Sequence, residues 1–146
     1  MTPDQALIVV VEDDSDTREA LAEFLRAVGF EVLEAANGHA ALDVVSASQP
    51  DAVVTDLRMP RMDGIQLIRA LRTADATRRL PILCVSGDGE FAGEAAAVGC
   101  DAFLPKPCDL DKVVDALTRL IARARESRRH AIAVPLRAQS AGQFLM

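Results

Sequence analysis

The 146 residues carry a formal net charge of −6, and half of them are apolar. That length reads as one domain with enough chain to bury a core. No apolar run approaches the ~18 residues of a membrane span, and Met1-Thr-Pro-Asp-Gln5 lacks the basic start of a secretory signal, so a cytoplasmic protein with no membrane partner is expected.

In chain order, short apolar runs alternate with stretches of helical spacing. Leu7–Val11 predicts a strand, closed by Glu12-Asp13-Asp14. Ala20, Leu21, Phe24, Leu25 and Val28 then follow the i, i+3, i+4 rule up to Gly29, with Ser15 or Asp14 as the N-cap. A second strand is expected at residues 31–33 and a second helix on the stripe Ala41, Leu42, Val45. Ala52–Thr55 is the third strand, ending at Asp56. After an Asp63-Gly64 turn, where glycine is expected to supply positive φ, Ile65, Leu67, Ile68 and Leu71 mark the third helix. The fourth strand, residues 82–85, runs into Ser86, and an alanine-rich helix over Ala92–Val98 stops at Gly99. Residues 102–104 form the fifth strand, leading to Lys106 between two prolines. Leu110, Val113, Val114, Leu117, Leu120 and Ile121 mark the fifth helix, capped by Asp109.

Five strands alternating with five helices imply a parallel sheet covered on both faces. Ligands of such sheets bind beyond the carboxyl ends of the strands. Glu12-Asp13-Asp14, Asp56, Ser86 and Lys106 all stand at carboxyl ends. If the strands are parallel neighbours, these side chains converge in one crevice, able to hold a hard divalent cation and to accept a phosphoryl group.

The charge is unevenly spread. From Ala122 onward Arg123, Arg125, Arg128, Arg129 and Arg137 face Glu126 alone, a net +4 that leaves −10 for the rest. An acidic body argues against nucleic acid as a partner. Cys84, Cys100 and Cys108 show no zinc spacing and no CxxC, and the first two read as buried small hydrophobes. His39 and His130 have no ligand partners in sequence and read as surface polar residues.

Four motifs in order, Val10-Val-Glu12-Asp13-Asp14, Asp56-Leu-Arg-Met-Pro-Arg-Met-Asp-Gly64, Val85-Ser86-Gly87 and Phe103-Leu-Pro-Lys106-Pro107, resemble those of the receiver domain of two-component response regulators. The resemblance covers about residues 5–122, the expected receiver domain, and leaves 123–146 as a C-terminal tail, basic at its start. It implies a flavodoxin-like doubly wound (βα)5 fold with strand order 2-1-3-4-5. It also implies phosphorylation at Asp56 and Mg²⁺ bound by Glu12 (through water), Asp13, Asp56 and the backbone carbonyl of Arg58. Ser86 and Lys106 are the implied catalytic donors, Ser86 and Phe103 the switch pair, and Arg58 with Asp88 the positions tuning phosphoryl lifetime. Pro107 matches the family's cis proline. Cys108 stands where a large apolar residue often follows Lys-Pro, and Gly87 replaces a common alanine.

Three readings stay open at this point. Asp14 is either a third pocket carboxylate or the cap of the first helix. Phe103 is either a two-state aromatic or a fixed core residue. The tail is either a flexible extension or a segment docking on the acidic body or a partner.

The function expected is that of a stand-alone phosphoacceptor in a phosphorelay, not an enzyme beyond its own phosphotransfer and dephosphorylation. Its expected partners are a histidine kinase or phosphotransfer protein, a downstream protein the sequence does not name, and a second copy through the fourth helix, fifth strand and fifth helix. Too little chain after residue 125 is expected to form a DNA-binding output unit. A non-phosphorylated pseudo-receiver is the competing reading. A phosphatase is disfavoured, because Arg58 stands where a second acid is often needed.

Overall fold

The computed structural model describes residues 6–59, 62–87 and 89–145, with side chains as far as His130. Five strands, β1 (Leu7–Val11), β2 (Glu31–Ala35), β3 (Ala52–Thr55), β4 (Ile82–Ser86) and β5 (Ala102–Pro105), form one parallel sheet in the order 2-1-3-4-5. The helices are α1 (Ser15–Val28), α2 (Gly38–Ser48), α3 (Gly64–Thr73), α4 (Ala92–Val98) and α5 (Leu110–Leu145), with a 3₁₀ turn at Gly89–Phe91. This is the doubly wound (βα)5 arrangement and the strand order that the resemblance implies.

Alternation along the strands splits the core in two. Ile8 and Val10 of β1, Ala52 and Val54 of β3, and Leu83 and Val85 of β4 face α1 and α5, where Leu25, Leu117 and Ile121 complete the layer. Val9, Val11, Val53, Ile82 and Cys84 face the opposite way, onto α2, α3 and α4 through Val45, Ile68 and Ala95. Buried on both faces, the central strands read as continuous apolar runs, which is why the sequence exposes them so plainly.

Two details depart from the sequence reading. Strands β2, β4 and β5 run one or two residues beyond the apolar runs that mark them, because backbone pairing continues through Glu34-Ala35, Ser86 and Pro105 regardless of side-chain polarity. Gly64 is not a positive-φ residue; positive φ among the described glycines belongs to Gly29 and Gly99, which end α1 and α4. A side chain at Gly64 would instead strike the Asp56 carbonyl and Leu57 Cα, so close backbone approach is what requires glycine there. The α5 backbone runs as helix to Leu145. The body still holds α5 past Ala122, since Arg125 reaches Asp51 at 3.5 Å.

Candidate functional site

Parallel pairing sets the ends of β1, β3, β4 and β5 side by side, and the residues just beyond them meet. Lys106 Nζ lies 2.7 Å from Glu12 Oε1 and 3.1 Å from Asp56 Oδ2. Carboxylate oxygens of Glu12, Asp13 and Asp56 all lie within 4.8 Å of one another. The Lys106 backbone N–H donates to the Ser86 carbonyl at 2.9 Å, extending the β4–β5 ladder by one bond and placing the lysine above Asp56. The Lys106–Pro107 peptide is cis.

Asp56 is fixed by its own backbone neighbours. Its Oδ1 accepts from Leu57 N–H at 2.6 Å and from Arg58 N–H at 3.3 Å, which leaves Oδ2 turned to Lys106. Thr55, wholly buried, donates its hydroxyl to the Asp56 carbonyl at 2.8 Å. The start of α3 locks this segment from behind. Asp63 and Gln66 form a capping box, and Gly64 N–H donates to the Leu57 carbonyl at 2.8 Å.

Electrostatics follow from burial. Glu12 is 5% exposed. Desolvation raises its carboxyl above the usual value, the Lys106 hydrogen bond opposes that rise, and the Asp13 and Asp56 carboxyls add to it. For Lys106, burial alone acts downward, but its hydrogen bonds to Glu12 and Asp56 prevail and hold it above the usual lysine value. Like charges thus crowd around one ammonium, at a site buried at Glu12 and open to solvent at Asp13, an arrangement suited to taking in a further cation.

Of the other residues singled out in sequence, Asp14 caps α1, its carboxylate accepting from Thr17 N–H at 2.9 Å. Ser86 is buried at the end of β4. Phe103, half-buried and paired in register with Cys84, packs against the core on the α2–α4 side. Arg58 reaches to the segment after β4, its guanidinium over the Phe91 ring. Asp88 lies outside the described residues.

Sequence reasoning missed Phe91. Its signal was its place, the first large apolar residue after the loop that follows Ser86. It also missed that Cys84 and Cys100 touch, for which sixteen residues of separation gave no warning.

Residues 8–118 match the model of the response regulator receiver domain. The chain belongs to that family. Sporulation initiation phosphotransferase F of Bacillus subtilis is 32% identical over 114 residues, covering 78% of this chain and 92% of that protein. Response regulator MprA of Mycolicibacterium vanbaalenii is 37% identical over 118 residues, 80% of this chain but only 50% of MprA, so the chain spans half of that relative's length. Among solved structures, the chemotaxis response regulator CheY4 of Vibrio cholerae superposes with a TM-score of 0.74 at 29% identity, covering 79% of this chain and 98% of CheY4. The receiver is thus a signalling module of the two-component type. Its three clustered carboxylates form a hard oxygen donor set, which fits Mg²⁺ rather than a soft metal. No helix among the described residues is long and apolar enough to cross a membrane.

Proposed function

We propose that this receiver takes a phosphoryl group on Asp56 from the phosphohistidine of a histidine kinase or phosphotransfer protein. It signals onward through protein contacts as a stand-alone unit in the cytoplasm. The observation that carries this reading is the Lys106 ammonium, 3.1 Å from Asp56 Oδ2 and 2.7 Å from the buried Glu12.

In the transfer, a carboxylate oxygen of Asp56 bonds to phosphorus as the phosphorus–nitrogen bond of the donor breaks and the imidazole leaves. The product is an acyl phosphate. Oδ2 is the oxygen suited to attack, since Oδ1 is occupied by two backbone N–H groups. Lys106 supplies a cation to one phosphoryl oxygen, and the Ser86 hydroxyl a second donor. Glu12, Asp13, Asp56 and the Arg58 carbonyl would hold Mg²⁺, which supplies the positive charge that offsets repulsion between phosphoryl and carboxylate.

The phosphoryl group then biases a two-state equilibrium in which Ser86 moves toward it and Phe103 turns inward. That movement alters the face of α4, β5 and α5, the surface for a downstream protein and for a homodimer. Arg58 and Asp88 govern how long the phosphoryl persists. The functional unit is taken as residues 5–122, with the rest of α5 extending beyond it as far as Leu145.

The test is incubation with acetyl phosphate and Mg²⁺. One added phosphoryl group is expected by mass, absent in Asp56→Asn and absent when chelator is present. A wild-type protein that stays unlabelled under plentiful Mg²⁺ would establish the pseudo-receiver instead.

A further inference from the structure

Two thiols meet in the core on the α2–α4 side of the sheet. Cys84 on β4 is wholly buried, and Cys100, half-buried, follows the Gly99 that ends α4. Their sulfurs lie 3.0 Å apart, while both residues are free thiols. The backbone around Cys100 is fastened at several points. Asp101 N–H donates to the Ile82 carbonyl at 2.9 Å, and Asp101 Oδ2 accepts from Ile82 N–H at 2.8 Å. Arg72 holds the Gly99 carbonyl at 3.0 Å and Asp101 at 2.8 Å. The sulfurs are therefore neighbours, 3.0 Å apart, where an S–S bond is about 2 Å long.

We propose that Cys84 and Cys100 are an oxidative modification site that closes to a disulfide when a hydroperoxide reaches Cys100, fixing the end of α4 against β4. Access divides the roles, since Cys100 is only half-buried while Cys84 is wholly buried. The contact with Cys100, and then burial, also hold the Cys84 thiol well above the usual range. The Cys100 thiolate attacks a peroxide oxygen, the O–O bond breaks, and the departing hydroxide takes a proton to become water. Cys84 sulfur then attacks the sulfenic acid at Cys100. The S–S bond forms as the S–O bond breaks, and the second hydroxide leaves as water with the Cys84 proton. Two electrons pass from the sulfurs to the peroxide.

The bridge would sit two residues before Ser86 and beside Phe103, which packs on the same cluster. Redox state would thereby restrain the α4–β5 corner, independently of any chemistry at Asp56.

The experiment treats the full chain with hydrogen peroxide, then counts thiols and maps peptides. Two of three thiols are expected to disappear with loss of two hydrogens per chain. One peptide pair should join Cys84 to Cys100, and dithiothreitol should reverse it. Cys108→Ser should behave identically, and Cys84→Ser should abolish the bridge. Amide exchange over residues 92–101 is expected to slow at least about tenfold in the oxidised form. Survival of all three thiols, dimers linked through Cys108, or gain of oxygen without a bridge would each overturn the proposal, as would unchanged exchange in a fully bridged sample.

Discussion

The Arg58 guanidinium lies over the ring of Phe91, with Cζ 5.8 Å from the ring centroid. Arg58 leaves the segment carrying Asp56 and Phe91 the segment after Ser86, so the contact spans the gap between the ends of β3 and β4. The ring is itself packed against the core, which gives the cation a firm seat. A cation–π contact at a partly exposed site is worth about 0.5–1 kcal/mol.

Loss of that seat should weaken the hold on Arg58 and ease the entry of water to the acyl phosphate. Phe91→Leu keeps apolar bulk without the aromatic face. It is expected to shorten phosphoryl lifetime by about 2–5-fold, with Phe91→Tyr unchanged. Decay of labelled protein after donor removal measures this, and identical half-lives for Leu and Phe would refute the role of the ring.

Lys106 contacts both Glu12 and Asp56. Lys106→Ala is expected to slow labelling by about 10²–10³-fold, as for removal of one donor to developing negative charge. It also has a signature in pH. Glu12 already has a raised folded-state value, so its contribution to stability is fully present below about pH 4.5 and is lost as pH rises through that raised value. Removing the lysine raises it further. The stability deficit of the variant should therefore be larger at pH 7 than at pH 4 in denaturant titrations. A deficit equal at both, or larger in acid, would contradict this account of Glu12.

Asp14 separates cap from pocket. Its carboxylate is held below the usual value, first by the Thr17 hydroxyl and then by the Thr17 N–H. A depressed value means the contribution is present above about pH 3.8 and fades as pH falls through the lower folded value. Asp14→Ala should lower Tm by roughly 2–5 °C at neutral pH, less in acid, with labelling near wild type. A tenfold fall in labelling would make Asp14 a pocket residue after all.

The parallel sheet was legible because the strands are buried on both faces, so Leu7–Val11 and Ala52–Thr55 are runs rich in β-branched residues, whereas the order 2-1-3-4-5 came from the family resemblance. The convergence of Glu12, Asp56 and Lys106 was legible for a related reason: parallel order puts every carboxyl end on one edge. Contacts across the ends were not legible. The meeting of Arg58 with Phe91, and of Cys84 with Cys100, depends on how loops after β4 and α4 fold back, and neither pair has a periodic signature. Gly64 was recognised as special for the wrong reason, since a turn glycine and a close-approach glycine look alike in sequence. The helical continuation to Leu145 was hidden by sparse apolar spacing after Ile121.

That distinction at Gly64 has a measurable consequence. A Cβ there would sit 2.7 Å from Leu57 Cα and press on the Asp56 carbonyl, both backbone groups unable to rotate away. Gly64→Ala must push the Asp56 segment out of place or distort the start of α3. Overpacking of this kind costs about 1–3 kcal/mol, and the displacement acts directly on the carboxylate that faces Lys106. Gly93→Ala provides the control, because nothing lies within 4 Å of its added carbon and it sits inside α4; there alanine should stabilise by roughly 0.5–1 kcal/mol. Urea titration of both variants, with acetyl phosphate labelling alongside, should show Gly64→Ala losing stability and phosphorylation together while Gly93→Ala keeps both. A Gly64→Ala protein as stable and as readily labelled as wild type would mean that α3 does not brace Asp56.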